Sequence, residues 1–343
     1  MAEISNEMAK TLFFEGAILV CRDVPQGTEF GIDYNSWNVG PKFKGVKMIP
    51  PGFHFVFYAA VNNSGQTAPR TGFFQYFGQR EIIVKKWDAN IEDLVDQTLS
   101  AEEIERIRAN LENLDSNLGK YPFESLKKWH SLSSHVTQDV MNNIQPVCNR
   151  ISSLTEVKNE DVKQPVGTCD TMLRFTPLPF RHFPKDSTPA EITKLSMDKS
   201  QVLEDIISRS TAHTGILGEL QLAFITFLVG QVYDAFEQWK NLIYLLCSCL
   251  DAIDKHPDIF EAFIRVLHFQ LLEMPQDFFI DIVSRNNFLV DNLHRFFTNV
   301  QDSSVSTKLK RKAHKFKEYL TRHFQWNFDH EPEEDAPVIV EIA

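Results

Sequence analysis

The sequence lacks the paired cysteines that would indicate a disulfide framework or a zinc site. Its five cysteines, among 343 residues, are odd in number and widely scattered, and none belongs to a CxxC pair. This pattern is typical of free thiols in a reducing compartment. The N-terminus also lacks the basic flank and the long apolar core of a secretion signal. We therefore expect an intracellular protein.

Positive charge is scarce as well. Lys and Arg number 35 against 46 Asp and Glu, which gives a formal net charge of −11. Binding along a phosphate backbone depends on Lys and Arg that displace counterions, so we expect no direct nucleic-acid ligand. The exception is a basic cluster between Lys308 and Lys317 on a predicted helix. We interpret it as a solvated face, with apolar positions from Leu309 to Leu320 facing the core. Nucleic acid or an acidic protein surface is the alternative partner for this cluster.

No apolar run is long enough to predict a membrane span. The strongest candidate, Leu217 to Tyr233, is interrupted by Glu219, Gln221 and Gln231. The uncharged part is shorter than the ~18 to 20 residues that a bilayer requires. We predict a buried helix here and no membrane association.

Motifs for catalysis are missing too, since GxSxG, GxxxxGK[ST] and GxGxxG do not occur. Three pairs come nearest to a metal or catalytic pattern: Cys247 with Cys249, His130 with His135, and Asp33 with Glu29. Helical positions two or five apart are poorly aligned for sharing one metal ion. A carboxylate beside a turn usually accepts hydrogen bonds from its own backbone. We therefore predict no enzymatic activity, no cofactor and no metal.

What is present predicts an α+β protein. In the first ninety residues, short apolar runs are separated by Gly, Pro and Asn, which indicates a small β-sandwich or barrel. The predicted strands are Leu12–Phe14, Ala17–Cys21, Phe53–Val61, Gly72–Phe77 and Glu81–Trp87. We expect Asp33 to Trp37 to form a loop between strands.

Helical spacing begins near Ser100. One apolar face is predicted from Ile104, Ile107, Leu111, Leu114 and Leu118, with Ser100 and Glu103 as a capping box. A second helix should follow Tyr121-Pro122 through Leu126 and Trp129, and the helical appendage should run to about Asn143. Residues 1–150 therefore form a β-rich domain with a helical appendage, and residues 151–188, rich in polar residues and Pro, form a linker.

The remainder to residue 328 predicts a helical domain of six or seven helices, either a bundle or a short superhelical stack. We interpret Gly218–Phe224 and Phe236–Lys240 as core stripes with their polar residues on the outside. Because helical stacks often bind short peptides in grooves, a peptide-binding trafficking adaptor is one candidate function.

Residues 329–343 form an acidic, proline-bearing tail that ends in a β-prone run. Its apolar positions are Val338, Ile339, Val340 and Ile342. Such a segment can add a strand to another protein's sheet through main-chain hydrogen bonds. A frayed or self-docked end is an equal alternative from the residues alone.

Several segments resemble the Aar-two family of U5 small nuclear ribonucleoprotein assembly factors. They are Leu12–Gly16, Pro25–Trp37, Val39–Gly52, Thr188–Thr193, Gly218–Phe224, Phe236–Lys240 and Ala336–Glu341. The resemblance covers nearly the whole chain and departs from the family at Ile151 to about Asp170. It implies a β-sandwich-like N-terminal domain, a linker and a helical C-terminal domain of the VHS type.

The resemblance also implies a function. Family members are non-enzymatic. They bind the large spliceosomal scaffold, pre-mRNA-processing factor eight, mainly through its RNase H-like domain, and hold it in a precursor particle. We expect the same partner here, in the cytoplasm and nucleus, in support of spliceosome assembly and pre-mRNA splicing. In part of the family, a strand of the C-terminal tail bridges the scaffold's RNase H-like and Jab/MPN-like domains. The resemblance implies that the corresponding partner-binding residues of this chain are Val338, Ile339, Val340 and Ile342.

Overall fold

The structure is a computed structural model that describes residues 11, 15–61, 66–97, 99–153, 171–180, 187–274 and 288–328. The chain divides into two compact units. The first unit contains Met1–Arg174 together with Ile225–Ala235, and the second contains Phe175–Phe224 together with Phe236–Ala343.

The first unit is built on two five-stranded sheets. The described residues contain ten strands: β1 (Ala17–Arg22), β2 (Glu29–Ile32), β3 (Asn35–Asn38), β4 (Gly45–Ile49), β5 (Gly52–Ala59), β6 (Thr71–Phe77), β7 (Ile82–Asp88), β8 (Asp93–Asp96), β9 (Leu118–Lys120) and β10 (Ile151–Ser152). One sheet has the order β8-β7-β1-β4-β9, and the other has the order β10-β6-β5-β2-β3. In the first sheet β1 runs parallel to β7 and β4 runs parallel to β9, whereas the second sheet is antiparallel throughout.

Both sheets contribute to one hydrophobic core, which gives a β-sandwich-like domain. Leu19 and Val46 from the first sheet and Phe30, Val56 and Phe73 from the second belong to the same buried cluster. Alternate strand residues point to opposite faces, so each sheet supplies every second side chain to this core. The strands predicted at Ala17, Phe53, Gly72 and Glu81 are confirmed as β1, β5, β6 and β7. The strand predicted at Leu12–Phe14 lies outside the described residues.

The loop predicted at Asp33–Trp37 is wrong, because most of this segment is strand β3. Asp33 and Tyr34 form a two-residue turn, and β3 then pairs with β2 so that Trp37 lies opposite Phe30. Asp33 has a φ of 57°, a left-handed conformation that Asp tolerates better than most residues. The Phe30 and Trp37 rings lie 5.6 Å apart, and this cross-strand contact stabilises the hairpin.

The helix predicted from Ile104 to Leu118 is confirmed in its first half only. Ser100 and Glu103 form the predicted capping box at the start of α1 (Ala101–Ala109). The helix then breaks at Asn110, and α2 (Leu111–Leu114) is a single turn. Leu118 begins β9 and pairs with Gly45 on β4. Its apolar side chain suits a buried strand as well as a helix, so spacing alone could not separate the two.

The helix predicted through Leu126 and Trp129 is confirmed as α3 (Leu126–Ser133), and a separate helix that was not predicted, α4 (Gln138–Ile144), completes the appendage. Trp129 on α3 is almost completely buried, and its indole Nε1 donates to the Phe53 carbonyl oxygen at 2.8 Å. Its ring stacks on that of Phe53 at a centroid distance of 5.7 Å. The appendage is therefore anchored on the second sheet.

The later part of the chain is helical, as predicted. The described residues hold eight helices here, against the six or seven expected: α5 (Pro189–Met197), α6 (Ser200–Arg209), α7 (Gly215–Leu228), α8 (Tyr233–Cys247), α9 (Asp251–Lys255), α10 (Pro257–Glu273), α11 (Phe288–Asp302) and α12 (Thr307–Phe324). One unpredicted break follows Met197. There Asp198 accepts from the backbone N–H groups of Ser200, Leu250 and Asp251, which lie at the starts of α6 and α9.

The apolar run at Leu217–Tyr233 forms the buried helix α7, which ends at Leu228. In the described part of the chain, no helix combines the length and apolarity needed to cross a bilayer. The expectation that the polar residues of Gly218–Phe224 lie outside is wrong, because Glu219 and Gln221 are buried. Glu219 is buried because it accepts hydrogen bonds from another segment of the same unit. The VHS-type arrangement of the helices stays a prediction.

Candidate interaction surfaces

The predicted partner-binding residues Val338, Ile339, Val340 and Ile342 lie outside the described residues. Strand addition by the tail therefore stays a prediction. Within the described residues, the polar clusters of each folded unit can be compared with the geometry that a catalytic or metal-binding site requires.

The most concentrated polar cluster surrounds Asp33. One carboxylate oxygen lies 2.8 Å from His54 Nδ1 and accepts from the Tyr121 hydroxyl at 2.5 Å. The other oxygen accepts from the backbone N–H of Phe55 at 3.0 Å. His54 Nε2 lies 2.7 Å from the Pro50 carbonyl oxygen, which can only accept, so this nitrogen carries a proton. All of the polar atoms of this cluster find partners.

This cluster contains an Asp–His pair, yet its position excludes a reacting substrate. Asp33, His54 and Tyr121 are all buried, and the ring of Trp129 stacks beside His54. Burial raises the pKa of the Tyr121 hydroxyl far above its ordinary value, and the neighbouring Asp33 charge raises it further. A general base must reach the proton that it removes. The cluster therefore ties the β2–β3 turn to β5 and to the start of the helical appendage.

Glu29 does not join Asp33, so the structure does not form the candidate carboxylate pair. It instead accepts from Arg70 Nη2 at 3.0 Å. Arg70 Nη1 donates to the carbonyl oxygen of Val229 at 2.8 Å, within the same compact unit. The guanidinium also lies 4.7 Å from the centre of the Phe57 ring.

The thiols and histidines singled out in the sequence form no metal site. Cys21, Cys247 and Cys249 are buried free thiols, and burial raises the pKa of each of them, that of Cys21 to about 12. His130 is exposed on α3 and His135 lies beyond the end of that helix. Within the residues that the structure describes, no group of three metal-ligating side chains occurs.

A cavity of about 900 Å³ adjoins the first sheet, and sequence reasoning missed it. Its apolar lining comes from Ile18, Met48, Ile82, Leu111 and Leu118, and its rim carries both signs of charge. Lys47 is buried there and pairs with Asp115. The signal for this pairing was a single Lys in the otherwise apolar strand β4.

In the second unit the buried carboxylate of Glu219 orders an extended segment. Its oxygens accept from the backbone N–H and the hydroxyl of Thr176 at 2.8 and 2.6 Å, and from Gln238 Nε2 at 2.9 Å. Trp239 is completely buried and donates to Gln270 Oε1 at 2.9 Å. The predicted core stripe at Phe236–Lys240 is confirmed by the burial of Phe236 and Trp239.

The basic helix α12 packs as predicted. Leu309, Ala313, Phe316 and Leu320 form its buried face. Glu261 of α10 accepts from Lys308 Nζ at 2.8 Å and from Lys312 Nζ at 2.7 Å. The remaining cations of the cluster are on the surface of the domain.

These observations define an α+β protein in which a two-sheet domain precedes a helical domain, and in which the buried polar clusters serve structure. Two family models match it: the AAR2 N-terminal domain over residues 15–146 and the AAR2 C-terminal repeat region over residues 175–329. The chain belongs to the AAR2 family, which confirms the resemblance drawn from the sequence.

Curated relatives match along almost their whole length. The chain is 43% identical to the mouse protein AAR2 homolog, over 99% of this chain and 97% of the relative. The human protein AAR2 homolog is 42% identical over the same shares. The relative from Caenorhabditis elegans is 37% identical over 94% of this chain and 98% of its own length. Both domains and the tail therefore fall within the aligned length of the mammalian relatives.

Proposed function

We propose that this protein is a non-enzymatic assembly factor of the U5 small nuclear ribonucleoprotein. In this role it binds the large spliceosomal scaffold, pre-mRNA-processing factor eight, through the RNase H-like domain, within a precursor particle of the cytoplasm and nucleus. It thereby supports spliceosome assembly and pre-mRNA splicing. The observation that carries the proposal is family membership over the full length, since separate AAR2 models match the two domains.

The arrangement of buried polar groups supports a binding role. The clusters around Asp33 and Glu219 use their hydrogen-bonding capacity on backbone and side-chain groups of the protein itself. An active site needs a nucleophile or base within reach of a substrate. The described clusters instead make each domain a well-ordered scaffold that presents its surface to a partner.

The tail gives this proposal a mechanism. A segment with apolar residues at Val338, Val340 and Ile342 places them on one face of a strand, with Ile339 on the other. Added to a sheet edge, it contributes main-chain hydrogen bonds, and it can bridge the RNase H-like and Jab/MPN-like domains. Because tail and domains belong to one chain, binding by one raises the effective concentration of the other.

The test is binding of the purified chain to the isolated RNase H-like domain, measured by calorimetry. The full chain is compared with a version that ends at Glu334. We expect both forms to bind and the shorter one to bind about tenfold more weakly, since linked sites gain avidity. Equal affinity would assign the interface to the folded domains alone, and no binding by either form would contradict the proposed function.

A matched pair of variants tests the strand geometry. Val340→Lys and Ile339→Lys introduce the same charge at adjacent positions that face opposite sides of a strand. Strand addition predicts that one of the two weakens binding far more than the other. Equal effects would contradict a strand and would indicate a contact that depends on charge only.

A further inference from the structure

Helix α12 carries charge of the opposite sign to the whole chain. Its 18 residues include seven Lys or Arg and one Glu, whereas the protein has a formal net charge of −11. Charges separated by more than about 8 to 10 Å of salt solution are largely screened, so the local charge decides what this surface attracts. The excess of acids elsewhere in the chain does not remove the positive field here.

The exposed cations lie along one side of the helix. Arg311, Lys315 and Arg322 are exposed and follow each other at spacings of four and seven residues, opposite the buried face. With a rise of 1.5 Å per residue, they extend about 16 Å along the helix axis. This row is a straight basic track, defined as Arg311, Lys315 and Arg322.

Two of the three cations of the basic track are not paired with an acidic residue of the described part of the chain. Glu261 pairs with Lys308 and Lys312, which border the track. Arg311 and Lys315 form no salt bridge with any residue that the structure describes. Arg322 Nη2 lies 3.5 Å from Glu318 Oε2. Because both side chains are exposed to solvent, this ion pair contributes little to stability.

The basic track ends beside stacked rings. Tyr319 and His323 stack at a centroid distance of 5.3 Å with an interplanar angle of 12°, and His268 of α10 packs edge-on against Tyr319 at 4.6 Å. His323 is exposed, so the outer ring of the stack is accessible to solvent. Leu272, one turn beyond His268, is 45% exposed. Cations and accessible rings therefore meet at the C-terminal end of α12.

We propose that the basic track and the Tyr319–His323 stack bind single-stranded RNA. Surfaces that bind single strands combine a positive groove for the phosphates with aromatic rings on which bases stack. The track supplies the first element, and His323 continues its stack with Tyr319 onto a base. An acidic peptide would use the cations but would gain nothing from the exposed ring, so the combination favours RNA. This inference goes beyond the proposed function and does not rest on it.

The test uses fluorescence anisotropy of the full chain with a labelled single-stranded RNA of about 12 nucleotides, within the usual range of site sizes. The triple variant Arg311→Gln, Lys315→Gln, Arg322→Gln removes the track. We expect it to bind at least about tenfold more weakly near 0.1 M salt, and the slope of log K against log salt to fall in magnitude by about 2. The matched control, Lys42→Gln, Lys120→Gln, Arg209→Gln, removes three exposed cations elsewhere and should bind as the wild type does.

His323→Ala tests the stack, with His314→Ala as the control because His314 is also exposed on α12. Loss of one stacked base predicts about fivefold weaker binding for His323→Ala alone. A far-ultraviolet circular dichroism spectrum and a thermal unfolding midpoint like those of the wild type show that each variant is folded. The proposal is overturned if the wild type does not bind the RNA, if the two triple variants behave alike, or if a polyglutamate peptide of similar length binds as tightly as the RNA.

Discussion

The two units of this protein use buried carboxylates in different ways. In the β-rich unit, Asp33 joins a turn, the neighbouring strand β5 and Tyr121, which is 88 residues away in the sequence. In the helical unit, Glu219 accepts from the backbone N–H of Thr176 in an extended segment, and the half-buried Asp198 accepts from backbone N–H groups at the starts of two helices. Asp33 accepts from one backbone N–H and from the Tyr121 hydroxyl, and so connects segments that are distant in the sequence. Asp198 instead accepts from N–H groups of the kind that every helix leaves unpaired at its N-terminus. The comparison teaches that a carboxylate with several hydrogen-bond partners can be a fold determinant in either unit.

The largest expected effect comes from Asp33. Asp33→Ala leaves His54, the Tyr121 hydroxyl and the Phe55 N–H without their buried acceptor, and it places Ala at a φ of 57°. We expect the free energy of unfolding to fall by about 3 to 5 kcal/mol, measured by urea denaturation. Asp33→Asn keeps an acceptor and tolerates the turn, so it should cost clearly less. A loss below about 1 kcal/mol for Asp33→Ala would contradict a central structural role.

Glu219 should come second. Glu219→Ala removes the acceptor of Thr176 and Gln238, and we expect a loss of about 2 kcal/mol in the free energy of unfolding. In this variant the amide hydrogen-exchange rate should increase more at residues 171–180 than in α10. Glu219→Gln retains one oxygen and serves as the matched control. Unchanged exchange at Thr176 in Glu219→Ala would show that this contact does not order the segment.

The contribution of Asp198 to stability should depend on pH. Burial alone would raise the pKa of this carboxylate, but hydrogen bonds from the Ser200 hydroxyl and from backbone N–H groups outweigh it and lower the pKa. Because the folded-state pKa is depressed, the stabilisation is present above the unfolded value near 3.8 and is lost as the pH falls through the folded value. Asp198→Asn should therefore cost about 1 kcal/mol at pH 7 and progressively less as the pH falls below 3.8 towards the lowered folded-state pKa. A difference that does not change with pH would contradict this origin.

The smallest effect concerns thiol reactivity in the two cores. Cys21 in the β-rich unit and Cys247 and Cys249 in the helical unit are buried, with raised pKa values, whereas Cys148 is half-buried. In a Cys169→Ser background, Cys148 should react with a thiol reagent first. The reaction rate depends on the fraction of the thiol that is ionised and on its accessibility to the reagent. Mass spectrometry at intervals identifies the modified site. Modification of Cys21 ahead of Cys148 would indicate that the β-rich unit opens more readily than its burial predicts.

Many helices and strands could be predicted from the sequence, because apolar spacing and capping residues are signals carried by residues that are close together in the chain. The capping box at Ser100, the strands β1, β5, β6 and β7, and the buried face of α12 were predictable for this reason. Leu118 was assigned to a helix because its partner strand β4 lies far away in the sequence. The β2–β3 hairpin was missed because Asp33-Tyr34 lacks the Gly that usually marks such turns.

The candidate site was less predictable for a related reason. Glu219 was expected outside because a charged residue on a helix is usually solvated. Its burial depends on Thr176, which approaches from a segment 43 residues earlier. The stack of Tyr319 and His323 beside the basic track also depends on α10, whose His268 packs on Tyr319. Family resemblance supplied the function where the residue patterns could not.

One measurement tests most directly whether the buried Asp–His cluster is structural and the partner surface lies elsewhere. The affinity of Asp33→Asn for the RNase H-like domain is compared with that of the wild type, at a temperature where circular dichroism shows both to be folded. The account predicts affinities within about twofold, because the cluster has no contact with a partner. A folded Asp33→Asn that binds more than about tenfold more weakly would contradict it.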